Sequence, residues 1–442
     1  MAYILLPDYL LLIPYLAIFY VLAKLMCKNH PEAELRTSLM NAFWLRMIGS
    51  ILYSMVIQYY YGYGDSFTYF RGSNFFTNRF SENLSDIKYL FSPIKEIADW
   101  YLSKPEGDEY FGGWFNNPSG NMVMKISALL SYLSFNRFII ISLFFGFFSF
   151  LGQWKLFLVF DDINKRKNRK LLAIATLYTP SIWFWGSGLL KDSICLGAMG
   201  FMIHILYSLL VKKKLSTSNM LYFLLLFYVV AVIKSYITYI LIMSLTATFI
   251  FIFLRSVKSF LAKLALLSFA LLAGIIMLSQ IDFTAQINDA VQDAALQINS
   301  FQQSYQNSSE QESDSKGGFS MKEVDPSLSS ILIRTPWVVF SCLYRPFIWE
   351  SRKVMIFFTS IESMILLYCT LYLIIKNKFT GFFKIIFNDE YLFFCFILSL
   401  FFATIIGFTT FNFGTMIRYK IIFLPFFYFM LVRINTIYRQ KN

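Results

Sequence analysis

The stretch FIIISLFFGFFSFLGQWKLFLVFDDINKRKNRK, residues 138–170, decides the fold class of this chain. It begins with an apolar run and ends in the basic segment DDINKRKNRK at 161–170. A helix needs about 20 mostly apolar residues to cross the hydrocarbon core of a bilayer. Lys and Arg beside such a helix favour the cytoplasmic side. The stretch therefore predicts a transmembrane helix at 137–159 that ends in the cytoplasm.

Apolar runs of this kind recur along the whole chain of 442 residues. Hydrophobic residues make up 57% of the sequence and charged residues 15%, whereas soluble domains carry about 25% charged residues. The runs fall at about 9–27, 43–61, 137–159, 171–189, 193–211, 219–233, 236–254, 263–279, 354–375, 391–410 and 420–437. We therefore predict an all-α, polytopic membrane protein with about eleven transmembrane helices in a single transmembrane domain, 1–442.

The basic residues predict the orientation of these helices. Lys and Arg outnumber Asp and Glu by 39 to 26, and many of them lie in short runs between the apolar segments. The runs occupy every second connection: Lys28 with Arg36 and Arg46, then 161–170, 212–214, 255–263, 376–384 and 433–441. This alternation predicts a multi-pass protein of a bacterial inner membrane, with its N-terminus outside and its C-terminus in the cytoplasm. It also argues against nucleic acid as a partner, since no single basic face is indicated.

Two long segments are then expected on the extracytoplasmic side. The first loop, 62–136, contains SPIKEIADWYL at 92–102, which has the pattern of an amphipathic helix lying on the membrane surface. The second, 280–353, starts with apolar residues at helical spacing. It continues into the polar part 304–318, which is expected to be mobile and could bind a partner in envelope biosynthesis.

Several charged residues fall at outer helix ends, against the usual bias of short outer loops. Asp65 follows YYYGYG, and Arg71, six residues further on, is its expected partner. The other outer charges are Lys191, Asp192, Lys234, Arg345, Arg352, Arg418 and Lys420. Each has a structural alternative: a lysine can snorkel to the headgroups, Lys191 and Asp192 can form a helix-terminal pair, and Arg345 can anchor a helix to lipid phosphate.

Taken together, these charges favour chemistry on a phosphate. Arg and Lys bind phosphate and diphosphate, and a carboxylate such as Asp65 can act as general base on a hydroxyl or orient a divalent metal ion. Polyprenyl-(di)phosphate sugars present both needs at headgroup depth. The five cysteines have no paired spacing, so a disulfide framework or a zinc site is not indicated. His30 and His204 are the only histidines, and His204, inside a predicted span, is expected to be a hydrogen-bonded core residue.

Four short motifs carry a family resemblance: GDSFTYF at 64–70, SGLLKDS at 187–193, YRPFIWE at 344–350 and NFGTMIRYK at 412–420. With the predicted layout, they resemble the outer loops of C-superfamily membrane glycosyltransferases and of bacterial polysaccharide repeat-unit polymerases. The resemblance implies sugar transfer from a polyprenyl-linked donor to a glycan acceptor. Asp65 would take the family's acidic role, as base or metal-orienting acid, and Asp192 would be the alternative base. The donor phosphates would be bound by Arg71, Lys191, Lys234, Arg345, Arg352, Arg418 and Lys420.

Two other functions fit a polytopic protein. A transporter or flippase for a lipid-linked or anionic solute usually holds ionisable residues at mid-membrane, whereas the predicted span interiors carry almost no charge. A structural subunit of an envelope assembly complex would use the acidic second loop to recruit its partner. The position of the charges favours the enzyme over the transporter.

Overall fold

The computed structural model describes residues 3–214, 216–257, 283–311, 318, 325 and 327–441. Within these residues the regular elements are helical, apart from an isolated antiparallel bridge between Gly318 and Asn412. The chain divides into two compact units, Met1–Tyr239 (unit 1) and Ile240–Asn442 (unit 2). The prediction of an all-α protein is therefore confirmed.

Unit 1 holds eleven α-helices and the start of a twelfth among its described residues: α1 (Leu6–Lys28), α2 (Ala33–Met55), α3 (Asp65–Glu82), α4 (Ile94–Leu102), α5 (Glu109–Phe115), α6 (Pro118–Leu133), α7 (Phe138–Ile163), α8 (Arg169–Thr176), α9 (Pro180–Trp185), α10 (Lys191–Leu210), α11 (Thr217–Ile233) and α12 (Ser235–Ser256), which continues into unit 2. A π-helical turn, Val56–Tyr61, extends α2, and a 3-10 helix covers Leu84–Leu90.

In unit 2 the described helices are α13 (Phe283–Gln311), α14 (Leu328–Tyr344), α15 (Val354–Asn377), α16 (Phe379–Ile386), α17 (Glu390–Thr409), α18 (Phe413–Lys420) and α19 (Leu424–Lys441). A 3-10 turn at Ile348–Glu350 precedes α15. Helix α13 includes residues 304–311 of the segment expected to be mobile, so that part is helical. Residues 312–317 of the same segment lie outside the described residues.

Seven of the described helices are long and apolar enough to cross a membrane: α1, α2 with its π-helical turn, α7, α10, α12, α15 and α17. An eighth crossing arises if α18 and Leu424–Gln440, which meet at a bend of 63°, form one broken span. The protein is thus a multi-pass membrane protein by length and composition. Helix α11, at 17 residues, is a shorter apolar helix, and the predicted run 263–279 lies outside the described residues.

The predicted helix at 171–189 is wrong as a continuous element. Pro180 lacks the backbone N–H that a helix needs, and it disfavours the helical conformation in the residue before it. Thr179 accordingly has ψ 124°, so α8 ends at Thr176 and α9 starts anew at Pro180. Apolar composition alone does not reveal this break.

The broken segment nevertheless runs the full length of α2, in the same direction. Four contacts occur in order along the two elements: Glu32 with Arg169, Ser38 with Tyr178, Arg46 with Ile182, and Ser50 with Ser187. We call the end of unit 1 near Glu32 the Arg169 end and the opposite end the Asp65 end. Residues 169–190 therefore pass from the Arg169 end to the Asp65 end without a continuous helix.

Arg46 and Gln153 bind the backbone where the crossing is broken. Arg46 Nη1 donates to Ile182 O (3.1 Å) and to Ser149 Oγ (3.2 Å), and Gln153 donates to Thr176 O. Broken helices are tolerated in membranes when side chains satisfy the freed backbone groups. Arg46 is buried within α2 and is not part of a surface basic cluster with Lys28 and Arg36, so that assignment was wrong.

Helices α7 and α10 lie parallel and touch through glycines. Gly152 of α7 lies against Gly197 and Gly200 of α10. A Cβ on Gly152 would overlap Gly197 O, and a Cβ on Gly200 would overlap Gly152 O. Small residues let helix backbones approach in this way in membranes. Toward the helix ends, Tyr207 Oη donates to Asp162 (2.5 Å). Both helices therefore run from the Asp65 end to the Arg169 end.

The first loop folds on an aromatic core of its own. Helix α4 forms where an amphipathic helix was predicted, but its apolar residues Ile97, Trp100 and Tyr101 are buried. Trp100 contacts Phe75 of α3, and Tyr101 stacks on Phe115 of α5. The apolar face of α4 is thus covered by protein, and the expectation that it lies on the membrane surface is not supported.

Candidate functional site

Asp65 is the first residue of α3, directly after a tight turn at the end of the second span. Gly62 (φ 72°) and Gly64 (φ 141°) both adopt positive φ, which glycine tolerates better than other residues. The turn allows the chain to leave the π-helical segment and start α3 within three residues, 62–64. Asp65 therefore lies at the N-terminal end of a helix, where the helix dipole favours negative charge.

Lys191 brings three helices together at the Asp65 end. It is the first residue of α10, and its Nζ donates to Ser119 Oγ (2.6 Å) in the first turn of α6. The same ammonium lies 5.6 Å from the ring centroid of Tyr69 in α3. It also interacts electrostatically with Asp65 and Asp192. Asp65 and Lys191, predicted as site residues from separate loops, thus belong to one polar cluster.

Asp192 and Lys234 form a buried ion pair beside this cluster. Lys234 Nζ lies 2.5 Å from Asp192 Oδ1, and the two residues are 8% and 0% exposed. Lys234 caps the end of α11, so the pair ties that end to the start of α10. Because each charge is held by the other, Asp192 is poorly placed as an alternative base and Lys234 as a phosphate ligand.

Arg71 pairs with Asp108 in the first loop. Its Nη2 donates to Asp108 Oδ2 (3.0 Å), and the guanidinium lies 4.5 Å from the ring of Phe111. Asp108 also accepts from the backbone N–H of Phe111 (2.7 Å) and from Tyr101 Oη (3.1 Å). These hydrogen bonds, with that of Phe111 as the largest cause, hold the pKa of Asp108 below its usual value. Arg71 therefore fastens the start of α5 to α3.

The remaining predicted residues lie in unit 2. Arg345 forms a forked ion pair with Glu350, five residues further on, through its Nε (3.0 Å) and Nη2. Its guanidinium also lies near the rings of Trp337 (5.7 Å) and Phe413 (5.3 Å). Arg345 is half-buried and the pair orders the turn that leads into α15.

Lys420 is buried and binds backbone. Its Nζ donates to Arg345 O (3.0 Å), Cys342 O (3.4 Å) and Ser363 Oγ (3.3 Å). The two carbonyls end α14, where a cation is favoured by the helix dipole. This geometry favours a structural role for Lys420. Arg418 is half-buried and Arg352 is exposed.

Two residues with polar contacts, Ser119 and Glu362, were missed from the sequence. Ser119 stands in NNPSGN, a helix start that could have been recognised from Asn117 and Pro118. Glu362 lies inside α15 and accepts from Tyr428 Oη of α19 (3.1 Å). Together with Arg46 in α2, Glu362 corrects the expectation that span interiors carry almost no charge.

Comparison with known proteins does not add a relationship. No family model, no curated protein and no solved structure matches the chain. Among the described residues, no group of three or more His, Cys, Asp or Glu side chains could hold a metal ion.

Proposed function

We propose that this chain is an integral membrane glycosyltransferase or polysaccharide polymerase of a bacterial inner membrane. Its substrates would be a polyprenyl-(di)phosphate-linked sugar and a glycan acceptor, which meet at the extracytoplasmic face. The proposal is carried by one observation. Asp65 and Lys191 lie in one polar cluster: Asp65 starts α3 just after the second span ends, and Lys191 starts the span α10.

The chemistry follows from the charges of this cluster. The acceptor hydroxyl oxygen attacks the anomeric carbon of the donor sugar, and the bond from that carbon to the phosphate oxygen breaks. Asp65 takes the proton of the hydroxyl, a contribution of about 10²–10⁴-fold in rate for general base catalysis. Lys191 and the N-termini of α3, α6 and α10 stabilise the negative charge that leaves with the phosphate.

The buried pair next to the cluster supports the division of roles. Asp192 and Lys234 neutralise each other, so Lys191 is the cation of this group that can face a ligand. For Arg345, Arg352 and Arg418 of unit 2, phosphate binding stays a prediction from the sequence. Asp65 could instead orient a divalent metal ion, in which case transfer would depend on added Mg²⁺.

The test uses a strain that lacks the protein. Wild type, Asp65→Asn and Lys191→Gln are expressed at equal levels, and surface glycan and lipid-linked intermediates are measured by gel and mass spectrometry. We expect lipid-linked units to accumulate and neither variant to restore the glycan. The matched controls are Asp99→Asn and Lys95→Gln, which change exposed residues of the first loop and should restore it. Normal glycan in the strain without the protein would contradict the proposal.

A flippase for lipid-linked sugars is a second candidate, favoured by two observations. Glu362 lies within a membrane-spanning helix, and residues 169–190 cross unit 1 as a broken helix. Transporters place both features at their binding sites. Purified protein in vesicles separates the two functions: an enzyme forms a new glycosidic product from donor and acceptor, whereas a flippase moves the donor between leaflets without forming product.

A further inference from the structure

Lys155 is a cation inside a membrane-spanning helix that the proposed reaction does not use. It lies in α7, seven residues before Asp162, and is half-buried. Within the described residues it has no ion pair with a carboxylate. A lysine at this distance from a helix end can extend its stem toward the headgroup region. Its charge would favour an anion near the Arg169 end.

Both histidines of the chain lie around Lys155. Trp154 Nε1 donates to His30 Nε2 (3.3 Å), which leaves Nδ1 of His30 as the N–H donor. Burial, and then the charge of Lys155, lower the pKa of His30. His204 lies one turn after Gly200 and also interacts electrostatically with Lys155.

His204 has an unexplained polar atom. Its Nδ1 is buried and finds no hydrogen-bond partner among the described residues, contrary to the expected hydrogen-bonded core residue. A buried polar atom without a partner is costly inside a membrane. Because Gly152 and Gly200 touch, the residues one turn further on, Lys155 and His204, lie on adjacent parallel helices. An anionic ligand that accepts a hydrogen bond would satisfy both the imidazole of His204 and the ammonium of Lys155.

The end of unit 1 beyond these residues is strongly basic. Asp162 binds Tyr207 and Lys212 (2.5 Å each), which brings the run 161–170 next to the run 212–214. The exposed cations of the two runs are Lys165, Arg166, Lys167, Lys170, Lys212, Lys213 and Lys214. Such juxtamembrane clusters attract anionic lipid surfaces. The exposed ends of the two basic runs are therefore positively charged, as is Lys155 on α7.

We propose that Lys155, His30 and His204 bind the phosphate of an anionic phospholipid, with the exposed lysines of the two basic runs at its rim. Helices α7 and α10 are membrane spans, so an anion at this depth reaches Lys155 most readily as part of a lipid. The ammonium supplies the charge and the two imidazoles supply directed hydrogen bonds. This site is at the opposite end of unit 1 from Asp65 and is independent of the proposed transfer reaction.

Native mass spectrometry of the full chain in detergent tests the site. The protein is titrated with phosphatidylglycerol, with phosphatidylcholine and with soluble glycerol phosphate. We expect retention of phosphatidylglycerol alone, and at least roughly tenfold weaker binding in Lys155→Gln and in His204→Gln, equivalent to about 1.4 kcal/mol. Lys155→Arg and the distant control Lys95→Gln should bind like wild type.

Each other outcome would overturn the proposal. Equal retention of the two lipids by the wild-type protein excludes selective binding, without reference to any variant. Binding of glycerol phosphate as tight as that of the lipid assigns the site to a free phosphate. Undiminished binding by a folded His204→Gln or Lys155→Gln protein, checked by its thermal unfolding, removes these residues from the site.

Discussion

Lys234 Nζ and Asp192 Oδ1 lie 2.5 Å apart, although 42 residues separate them in sequence, and both side chains are buried. The pair joins the end of α11 to the start of α10, beside the cluster of Asp65 and Lys191. Breaking a buried ion pair leaves an uncompensated charge in a medium of low dielectric constant, whereas replacing both partners by apolar groups is often tolerated.

We therefore expect Lys234→Met to lower the free energy of unfolding by about 3–5 kcal/mol, because the buried Asp192 loses the ammonium paired with it. The double variant Asp192→Leu with Lys234→Met should recover most of the loss. Arg71→Met removes an exposed pair and should cost no more than about 1 kcal/mol. Thermal unfolding in detergent measures all three. A double variant as unstable as Lys234→Met would show that the pair is not the cause.

The close contact of α7 and α10 predicts a second effect. In Gly152→Ala the new methyl group would overlap Gly197 O, which is backbone and cannot rotate away. We expect a loss of about 1–3 kcal/mol, as for overpacked cores, seen as a lower unfolding temperature.

Gly113→Ala is the control for this variant. A Cβ on Gly113 meets no atom within 4 Å, and the residue lies within α5. The exchange should be neutral or stabilise by up to about 1 kcal/mol through helix propensity. If Gly152→Ala is as stable as Gly113→Ala, the helices do not touch at these glycines.

The helical spans were predictable because hydrophobicity over about 20 residues is a strong local signal. Runs such as 137–159 and 354–375 became α7 and α15. Pro180 also signals the break after Thr179 in the sequence, but the mean hydropathy of a window of about 20 residues does not reveal it. The segment can still cross unit 1 because Arg46 and Gln153, on other helices, donate to the backbone carbonyls of Ile182 and Thr176. These contacts form only through tertiary packing.

The candidate site was predictable only in part, for a related reason. Asp65 and Lys191 were recognised from their place at helix ends, which is a local property. The sequence did not predict which charges pair with one another. Asp192 forms an ion pair with Lys234, and Arg71 with Asp108, only because the fold brings these distant residues together. Glu362 could have been noticed, as it is the only acid in the run 354–375.

The first loop should respond to acid through Asp108. Its pKa is lower in the folded state than its ordinary value of 3.8, chiefly because the N–H of Phe111 donates to it. A carboxyl group with a depressed pKa stabilises the fold above its unfolded pKa, and this stabilisation is lost as the pH falls through the folded pKa. We therefore expect the loop to loosen below about pH 4.

Hydrogen exchange of residues 100–115 between pH 3 and pH 6, corrected for the intrinsic exchange rate, would measure this. Asp108→Asn should be less protected at pH 6 and should change less between the two pH values. Asp99→Asn, a carboxyl on the exposed face of α4, should behave like wild type. Equal pH dependence in Asp108→Asn and wild type would assign the acid response to other groups, such as Glu106 with Arg79.

In unit 2, variants of Lys420 and Arg418 can distinguish a cation that stabilises the fold from a cation that binds substrate. Lys420 donates to the last carbonyls of α14 and is buried, whereas Arg418, two residues before it, is half-buried and is a proposed phosphate ligand. In Lys420→Met the carbonyls of Cys342 and Arg345 lose their donor. We expect a loss of about 1–3 kcal/mol in stability, as for buried acceptors left without a partner.

Arg418→Gln should fail to restore surface glycan. Substrate binding is the readout that decides the matter, since a merely structural arginine would not alter it. We expect the apparent affinity of purified Arg418→Gln for the lipid-linked donor to fall by about tenfold, or about 1.4 kcal/mol, with the loss diminishing at high salt because the contact is charged. If Arg418→Gln is active and Lys420→Met is folded but inactive, the two roles are reversed, and the buried ammonium belongs to the reaction.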